Sequence, residues 1–486
     1  MKRRAFLRGV TAGAGAVAGV GASAGDGLGQ ETGAAGQGRG AASGGRERQN
    51  VIWLVSDQHR GQALSSMYDP NVRTPNADVL AKEGVHFTHA VSGFPLCCPF
   101  RGSMLTGRYP HHCVPGHERP LPDGQQTIAH VFNGAGYRTA YFGKWHLSGF
   151  REDGGRAATH IVPPEKRGGF ETWTGYENNN SPFDSWVHGG SGKDAFHYRL
   201  PGYETDELTG LFVKYLRERA TDTRPFFAVL SVQPPHDPYV APEEYMRRFH
   251  PSKIELRPNV ARVAALESQV RRDLAGYYAM IENWDDNVGR VRRALAETGL
   301  AERTHIVYFS DHGDMHGSHG QFRKTCPWEE SIRIPLIVSG AQPRYEGWEN
   351  GRWPAVVNHV DLAPTTLGLC GIAKPSWMEG FDYSGYRRAR VGGRSGEPDS
   401  AYLQCVIPTM HHHSVDRAYR GLVTRDGWKL VCFEGAVWLL FNLNEDPYET
   451  ANLAHNSLYR AERKKLVERL RQWVTDTDDR FSLPSV

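Results

Sequence analysis

Between positions 50 and 338 the chain repeats one pattern: a short apolar run stops on a polar residue, and a helical stretch follows. Residues 51–55 stop on Ser56 and Asp57, and residues 139–142 lead into Gly143, Lys144, Trp145 and His146. Residues 226–232 end at Pro234 and Pro235, just before His236; residues 305–310 deliver Asp311 and His312, and residues 334–338 form a further run. A segment that is apolar at every position, not at alternate ones, is a strand covered on both faces. Helices are predicted from Thr74-Pro75-Asn76 through Ala81, over 127–133 and over 266–297. This alternation predicts an α/β layered fold with a largely parallel sheet. Such sheets bind ligands beyond the carboxyl ends of their strands. Asp57, Lys144, His146, His236, Asp311 and His312 are therefore expected along one edge.

The rhythm changes after position 375, where short strand-like runs at 402–406, 421–424, 429–433 and 437–441 precede a helix at 458–475. We expect a catalytic domain over 50–375 and a C-terminal subdomain over 376–486, a small antiparallel sheet with one helix on it. A chain of 486 residues, 39% hydrophobic and 11% aromatic, can bury cores for both. Its net charge of +3 comes without a long basic run, so nucleic acid is not expected as a partner. The amino terminus reads as a targeting segment. Arg3, Arg4, Phe6 and Leu7 precede a mild apolar stretch and an Ala22-Ser23-Ala24 site, the layout of a twin-arginine signal peptide over 1–24. A Gly/Ala/Ser-rich linker over 25–49 follows. Export through the twin-arginine translocase to the periplasm or beyond is expected, with no stable membrane span. Seven scattered cysteines make neither a disulfide framework nor a zinc spacing. That suits folding in a reducing cytoplasm, where a cysteine can be modified before export.

The densest signal is Cys97-Cys98-Pro99-Phe100-Arg101, continuing to Leu105-Thr106-Gly107-Arg108. Adjacent cysteines alone are most often inert small hydrophobes. In this context they resemble the sulfatase signature C-x-P-x-R-x-x-x-L-T-G-R, with Cys97 in register and Cys98 out of it. A second stretch, Gly136 through Gly143-Lys144-Trp145-His146, is similar to the family's other signature. Phe100 departs from the family's usual Ser or Ala.

The resemblance implies an alkaline-phosphatase-like α/β/α sandwich and sulfate-ester hydrolysis. Cys97 would be oxidised to formylglycine by a formylglycine-generating enzyme before export; its hydrate attacks sulfur, and the second hydroxyl then expels sulfate. A divalent metal, calcium by family default with magnesium or manganese open, would be held by Asp57, Gln58, Cys97, Asp311 and His312. Many members carry Asp at the position of Gln58 and Asn at that of His312. Arg101 would hold the nucleophile and Lys144 a sulfate oxygen, while Asp311 and His146 would take protons. His236, in Pro235-His236-Asp237-Pro238, and Lys324 would serve the leaving oxygen. Asp314, His316 and His319 read as a loop after a strand, not as a zinc cluster.

Two rival readings remain. One is a phosphodiester or phosphonate monoester hydrolase of the same superfamily, whose metal sites serve both anions. The other is a non-catalytic glycan-binding homologue, against which every expected catalytic position is filled. The substrate is a sulfated carbohydrate or a small sulfate ester, and the aromatic-bearing insertion at 170–203 favours carbohydrate. Asn178, Asn179 and Asn180, Trp186 to His188, and His411, His412 and His413 are expected in irregular loops that could line a sugar pocket.

Overall fold

The computed structural model describes residues 48–341, 351–388, 396–410 and 415–485. The expected signal peptide, all of the linker before residue 48, and His411, His412 and His413 lie outside the described residues. Ten strands build one sheet: β1 (Asn50–Ser56), β2 (Val85–Phe87), β3 (Arg138–Lys144), β4 (Thr172–Tyr176), β5 (Trp186–Gly189), β6 (Phe196–Arg199), β7 (Phe226–Ser231), β8 (Thr304–Ser310), β9 (Leu336–Gly340) and β10 (Gly351–Trp353). Their order is β10-β2-β9-β8-β1-β7-β3-β4-β5-β6. The centre, β8-β1-β7-β3-β4, is parallel throughout. Its carboxyl ends therefore share one edge, as the sequence pattern predicts.

The two faces of β1 explain its unbroken apolarity. Val51, Trp53 and Val55 enter one core with residues of the helices Cys97–Thr106, Ile128–Gly134 and Leu362–Leu369. Ile52 and Leu54 enter the opposite core, with residues of Pro75–Glu83, Glu204–Arg219 and the long helix Ala264–Glu297. Each fully buried side chain of this size contributes about 1.5–3 kcal/mol. A polar residue within β1 would leave the sheet without a water-facing side to receive it. The polar residues fall at the strand's end instead.

The structure departs from the sequence reading at the sheet's margins. Trp186, Val187 and His188 form strand β5, paired with β6, and do not lie in an irregular loop. Val187 is buried and His188 Nε2 accepts from Val162 N at 2.9 Å, so this stretch serves packing. Strand β9 starts two residues later than the apolar run at 334–338, because Pro335 has no N–H to give the ladder. A four-stranded antiparallel sheet follows: β11 (Ser400–Cys405), β12 (Tyr419–Thr424), β13 (Trp428–Phe433) and β14 (Ala436–Asn442). One face receives the helix Arg460–Asp476 through Leu466, Val467 and Leu470. The other packs Cys405, Tyr419 and Val431 against Phe94 and Leu96, the residues that lead into Cys97. The small sheet thus braces the entry to the helix that Cys97 opens.

Candidate active site

Three strand ends and one helix start meet at Cys97. Strand β1 ends on Ser56, and Asp57 and Gln58 follow, with Gln58 turned into the left-handed region at φ 71°. Strand β8 ends on Ser310, so Asp311 and His312 emerge beside them; Gln58 N donates to Asp311 Oδ1 at 3.0 Å. In β3, Gly143 has φ 100°, and a Cβ there would lie 1.9 Å from Ser231 O. Only glycine allows that close approach, which sets Lys144 beside Ser231 of β7. Cys97 is the first residue of the helix Cys97–Thr106 and meets the positive end of its dipole.

The groups around Cys97 are fully buried, and cations prevail. Its Sγ lies 3.4 Å from Lys324 Nζ, 3.9 Å from Lys144 Nζ, 3.2 Å from His312 Nε2 and 3.7 Å from Asp57 Oδ1. Lys144 Nζ binds Asp57 Oδ2 at 2.5 Å. Arg101 reaches Asp311 Oδ2 at 3.1 Å and Asp57 Oδ2 at 3.5 Å, and donates to Ser231 Oγ at 2.9 Å and Lys144 O at 3.0 Å. Burial pushes the Asp57 carboxyl up, yet Lys144, His236 and Lys324 together hold it well below its ordinary value. Three cations, Arg101, Lys144 and Lys324, thus stand against two carboxylates. A buried site with that excess stabilises an oxyanion brought to it and the charge that develops there.

The donor set also fits a divalent cation. Ligand atoms of Asp57, Cys97, Asp311 and His312 all lie within 4.8 Å of one another and are buried. The Oδ2 atoms of both carboxylates are held by Lys144 and Arg101, which leaves Asp57 Oδ1 facing Cys97 and His312. His312 Nδ1 donates to Gly313 O at 3.0 Å, so Nε2 is the nitrogen turned to the cluster, where it can ligate a cation once it gives up its proton. Burial draws the His312 ring down, but Asp311 and Cys97 outweigh it and raise its proton affinity. Gln58 is engaged differently from the other expected ligands. Its Oε1 accepts from Lys324 at 3.0 Å, while its Nε2 donates to Asp314 Oδ2 at 2.6 Å and Asp237 Oδ1 at 3.3 Å. A second Asp at this position would face two carboxylates, which accounts for the amide.

On the opposite side of Cys97, Lys324 Nζ lies 2.7 Å from His236 Nε2. His236 Nδ1 faces the Asp237 carbonyl at 2.7 Å and must carry a proton there, so Nε2 is an acceptor and Lys324 the donor. Burial, then Lys324, push the His236 ring down to about 4, and it is neutral at ordinary pH. The proton in this pair is held by Lys324. Asp311, expected to take the nucleophile's proton, also accepts His312 N at 2.9 Å. The carboxylate oxygen in contact with Cys97 is Asp57 Oδ1 at 3.7 Å. His146 is buried, and its ligating nitrogen joins Cys98 and His117 in a group within 4.8 Å.

Sequence reasoning missed two features. Ser231, which orients Arg101, could have been found by the pattern that stops the first run on Ser56, the polar last residue of a buried strand. Glu204 has no such signal: it accepts from Gln233 N at 2.8 Å and Asn179 Nδ2 at 3.2 Å, tying the residue before Pro234-Pro235-His236 to the asparagine loop. Asn178 and Asn179 are buried in that loop. Asp314 and His316 form no zinc cluster with His319: Asp314 receives Gln58 and Tyr239, and His316 packs edge-on against Tyr277.

A largely parallel sheet that gathers a buried cysteine, carboxylates and an excess of cations at its carboxyl edge has the makings of a hydrolase of oxyanion esters. The sulfatase family model matches residues 49–372, and that of the C-terminal region of N-sulphoglucosamine sulphohydrolase matches residues 317–476. The chain belongs to the sulfatase family. It is 33% identical to an ulvan-active sulfatase of Formosa agariphila over 89% of this chain and 82% of that protein. It is 29% identical to an endo-4-O-sulfatase of Bacteroides thetaiotaomicron over 87% of this chain and 90% of that one. The crystal structure of yidJ from Bacteroides fragilis superposes with a TM-score of 0.79 at 26% identity, covering 90% of this chain and 98% of its own. The fold is the alkaline-phosphatase-like sandwich, and the enzyme class is sulfuric ester hydrolase.

Proposed function

We propose that the enzyme removes sulfate from sulfated carbohydrate, with formylglycine made from Cys97 as nucleophile and a divalent cation, calcium first among candidates, at Asp57, Gln58, Asp311, His312 and the modified Cys97. The observation that carries this reading is Cys97 itself, buried within 3.9 Å of two lysines and beside a cluster of hard and borderline ligands. When bound, the cation would polarise the sulfate oxygens and lower the cost of ionising the nucleophile's hydroxyl. Lys144 and Lys324 hold the sulfate oxygens, and Arg101 fixes Asp57 and Asp311 in place. Asp57 Oδ1 and Asp311 are the carboxylates at hand for the nucleophile's proton. Lys324 protonates the departing oxygen, with His236 holding its ammonium in line.

Carbohydrate as substrate class is supported by the names of the ulvan-active and endo-4-O-acting relatives. Residues 50–375 form the catalytic domain in this reading, and 376–486 a subdomain bracing the nucleophile's entry. The proposal includes modification by a formylglycine-generating enzyme and export by the twin-arginine translocase to the periplasm or beyond. The paired Arg3 and Arg4 support it. Among the described residues no helix is long and apolar enough to cross a membrane. The test is desulfation of a panel of defined sulfated oligosaccharides beside an aryl sulfate and an aryl phosphonate. Turnover of sulfated sugars is expected; faster hydrolysis of the phosphonate would move the reading to phosphonate ester hydrolysis.

A further inference from the structure

Two cysteines open the nucleophile helix, and the chemistry above uses only the first. Cys98 is completely buried, in the core that also takes Val51, Trp53 and Val55. Its Sγ belongs to a group separate from the Asp57, Cys97, Asp311 and His312 cluster: the ligand atoms of Cys98, His117 and His146 lie within 4.8 Å of one another. His146 is held in a left-handed backbone conformation at φ 58°, uncommon for a residue with a side chain. Its ring is buried and Nδ1 has no hydrogen-bond partner among the described residues, a costly state for a polar atom. Burial and then Lys144 keep the ring neutral, with a lone pair to offer. The His117 side chain is 26% exposed and gives the group a route to solvent.

One thiol and two imidazoles are a soft-to-borderline donor set of the kind zinc takes in Cys/His sites. The carboxylate-rich cluster next door suits a hard cation instead. Spacings up to 4.8 Å are wider than the edges of a zinc tetrahedron, so small rotations of His117 and Cys98 would close the site.

We propose that Cys98, His117 and His146 form a second metal site that takes one thiophilic cation of the zinc class, and that its occupancy keeps His146 from the proton transfer expected of it. Binding breaks the Cys98 S–H bond, forms a sulfur–metal bond and releases the proton to solvent, with no change of oxidation state. The binding half stands by itself; the inhibitory half rests on the sulfatase reading.

The test titrates Cd2+ into the Cys97→Ala protein, which lacks the neighbouring thiol, and follows the thiolate-to-metal charge-transfer absorption. One equivalent is expected to give the band, the Cys97→Ala/Cys98→Ala protein to lose it, and His117→Ala, at a partly exposed position, to weaken binding at least tenfold. No band in Cys97→Ala, or a band that survives removal of Cys98, overturns the site. If the buried Cys98 change prevents folding, the His117→Ala comparison decides. In the otherwise native enzyme with its catalytic cation saturating, Zn2+ is expected to inhibit aryl sulfate turnover, and Cys98→Ala to raise the inhibitory concentration at least tenfold. Equal inhibition of both overturns the coupling to His146. A protein inactive on every sulfate ester that still binds Cd2+ at Cys98 would count against the function and not against this site.

Discussion

Lys324 Nζ sits between two partners, 2.7 Å from His236 Nε2 and 3.4 Å from Cys97 Sγ. Burial pulls its ammonium down, but Cys97, Asp57 and Asp237 outweigh that and keep it charged. One charged group therefore reaches both Cys97 and His236, the position proposed for the nucleophile and the histidine proposed for the leaving group. Lys324→Met is expected to lower kcat/KM about 10²–10³-fold, the magnitude of losing one preorganised donor in a dry site. The loss should be steepest for substrates with poor leaving groups, measured across a series of aryl sulfates.

His236 supplies a pH prediction. Its ring titrates at about 4, so it stays neutral while an ordinary histidine would ionise near 6.5. The kcat/KM profile should show no acid limb from His236 between about pH 5 and 8. His236→Gln should lower the rate without moving the limbs. The stability sign follows: the unfolded chain takes this proton near 6.5 and the native one only near 4. Stability carried by the neutral ring is therefore present above about 6.5 and lost as pH falls toward 4, and His236→Gln should flatten that slope in thermal melts.

Gln58 carries the amide that separates Asp314 and Asp237. Gln58→Glu would bury a third carboxylate against them in place of the donating amide, offset only in part by Lys324 at Oε1, and is expected to lower stability by about 1–3 kcal/mol, the cost of losing a buried hydrogen bond. Denaturant unfolding measures this, and adding Asp314→Asn should recover part of the loss.

Removing the divalent cation with a chelator should abolish turnover and lower the melting temperature, both restored by the cation. At a free cation concentration 100-fold above Kd, linkage gives about 2.7 kcal/mol of added stability. Asp57→Asn should raise the Kd at least tenfold, read by calorimetry.

Much of the site was legible because the strands are buried on both faces: an unbroken apolar run is forced to end where a polar residue can be used, as at Asp57, Lys144 and Asp311. The motif around Cys97 added register, singling it out from Cys98. What was not legible came from contacts remote in sequence. The carboxylates that require an amide at position 58 lie at Asp237 and Asp314, and no local spacing announces them. Cys98, His117 and His146 match no ligand spacing because the fold gathers them from a helix start, a loop and a strand exit. The β5–β6 hairpin was hidden by its polar face: Trp186 and His197 touch each other on the side away from Val187. Phe100, the departure from the signature, proves to be core, packed near Phe309 and His359.

The central claim is the conversion of Cys97. Mass spectrometry of the peptide bearing Cys97, from enzyme purified out of its native host and active on a sulfate ester, tests it most directly. The aldehyde or its hydrate at position 97, with Cys98 still a thiol, is the result expected. An unmodified thiol at Cys97 in fully active enzyme would contradict the account.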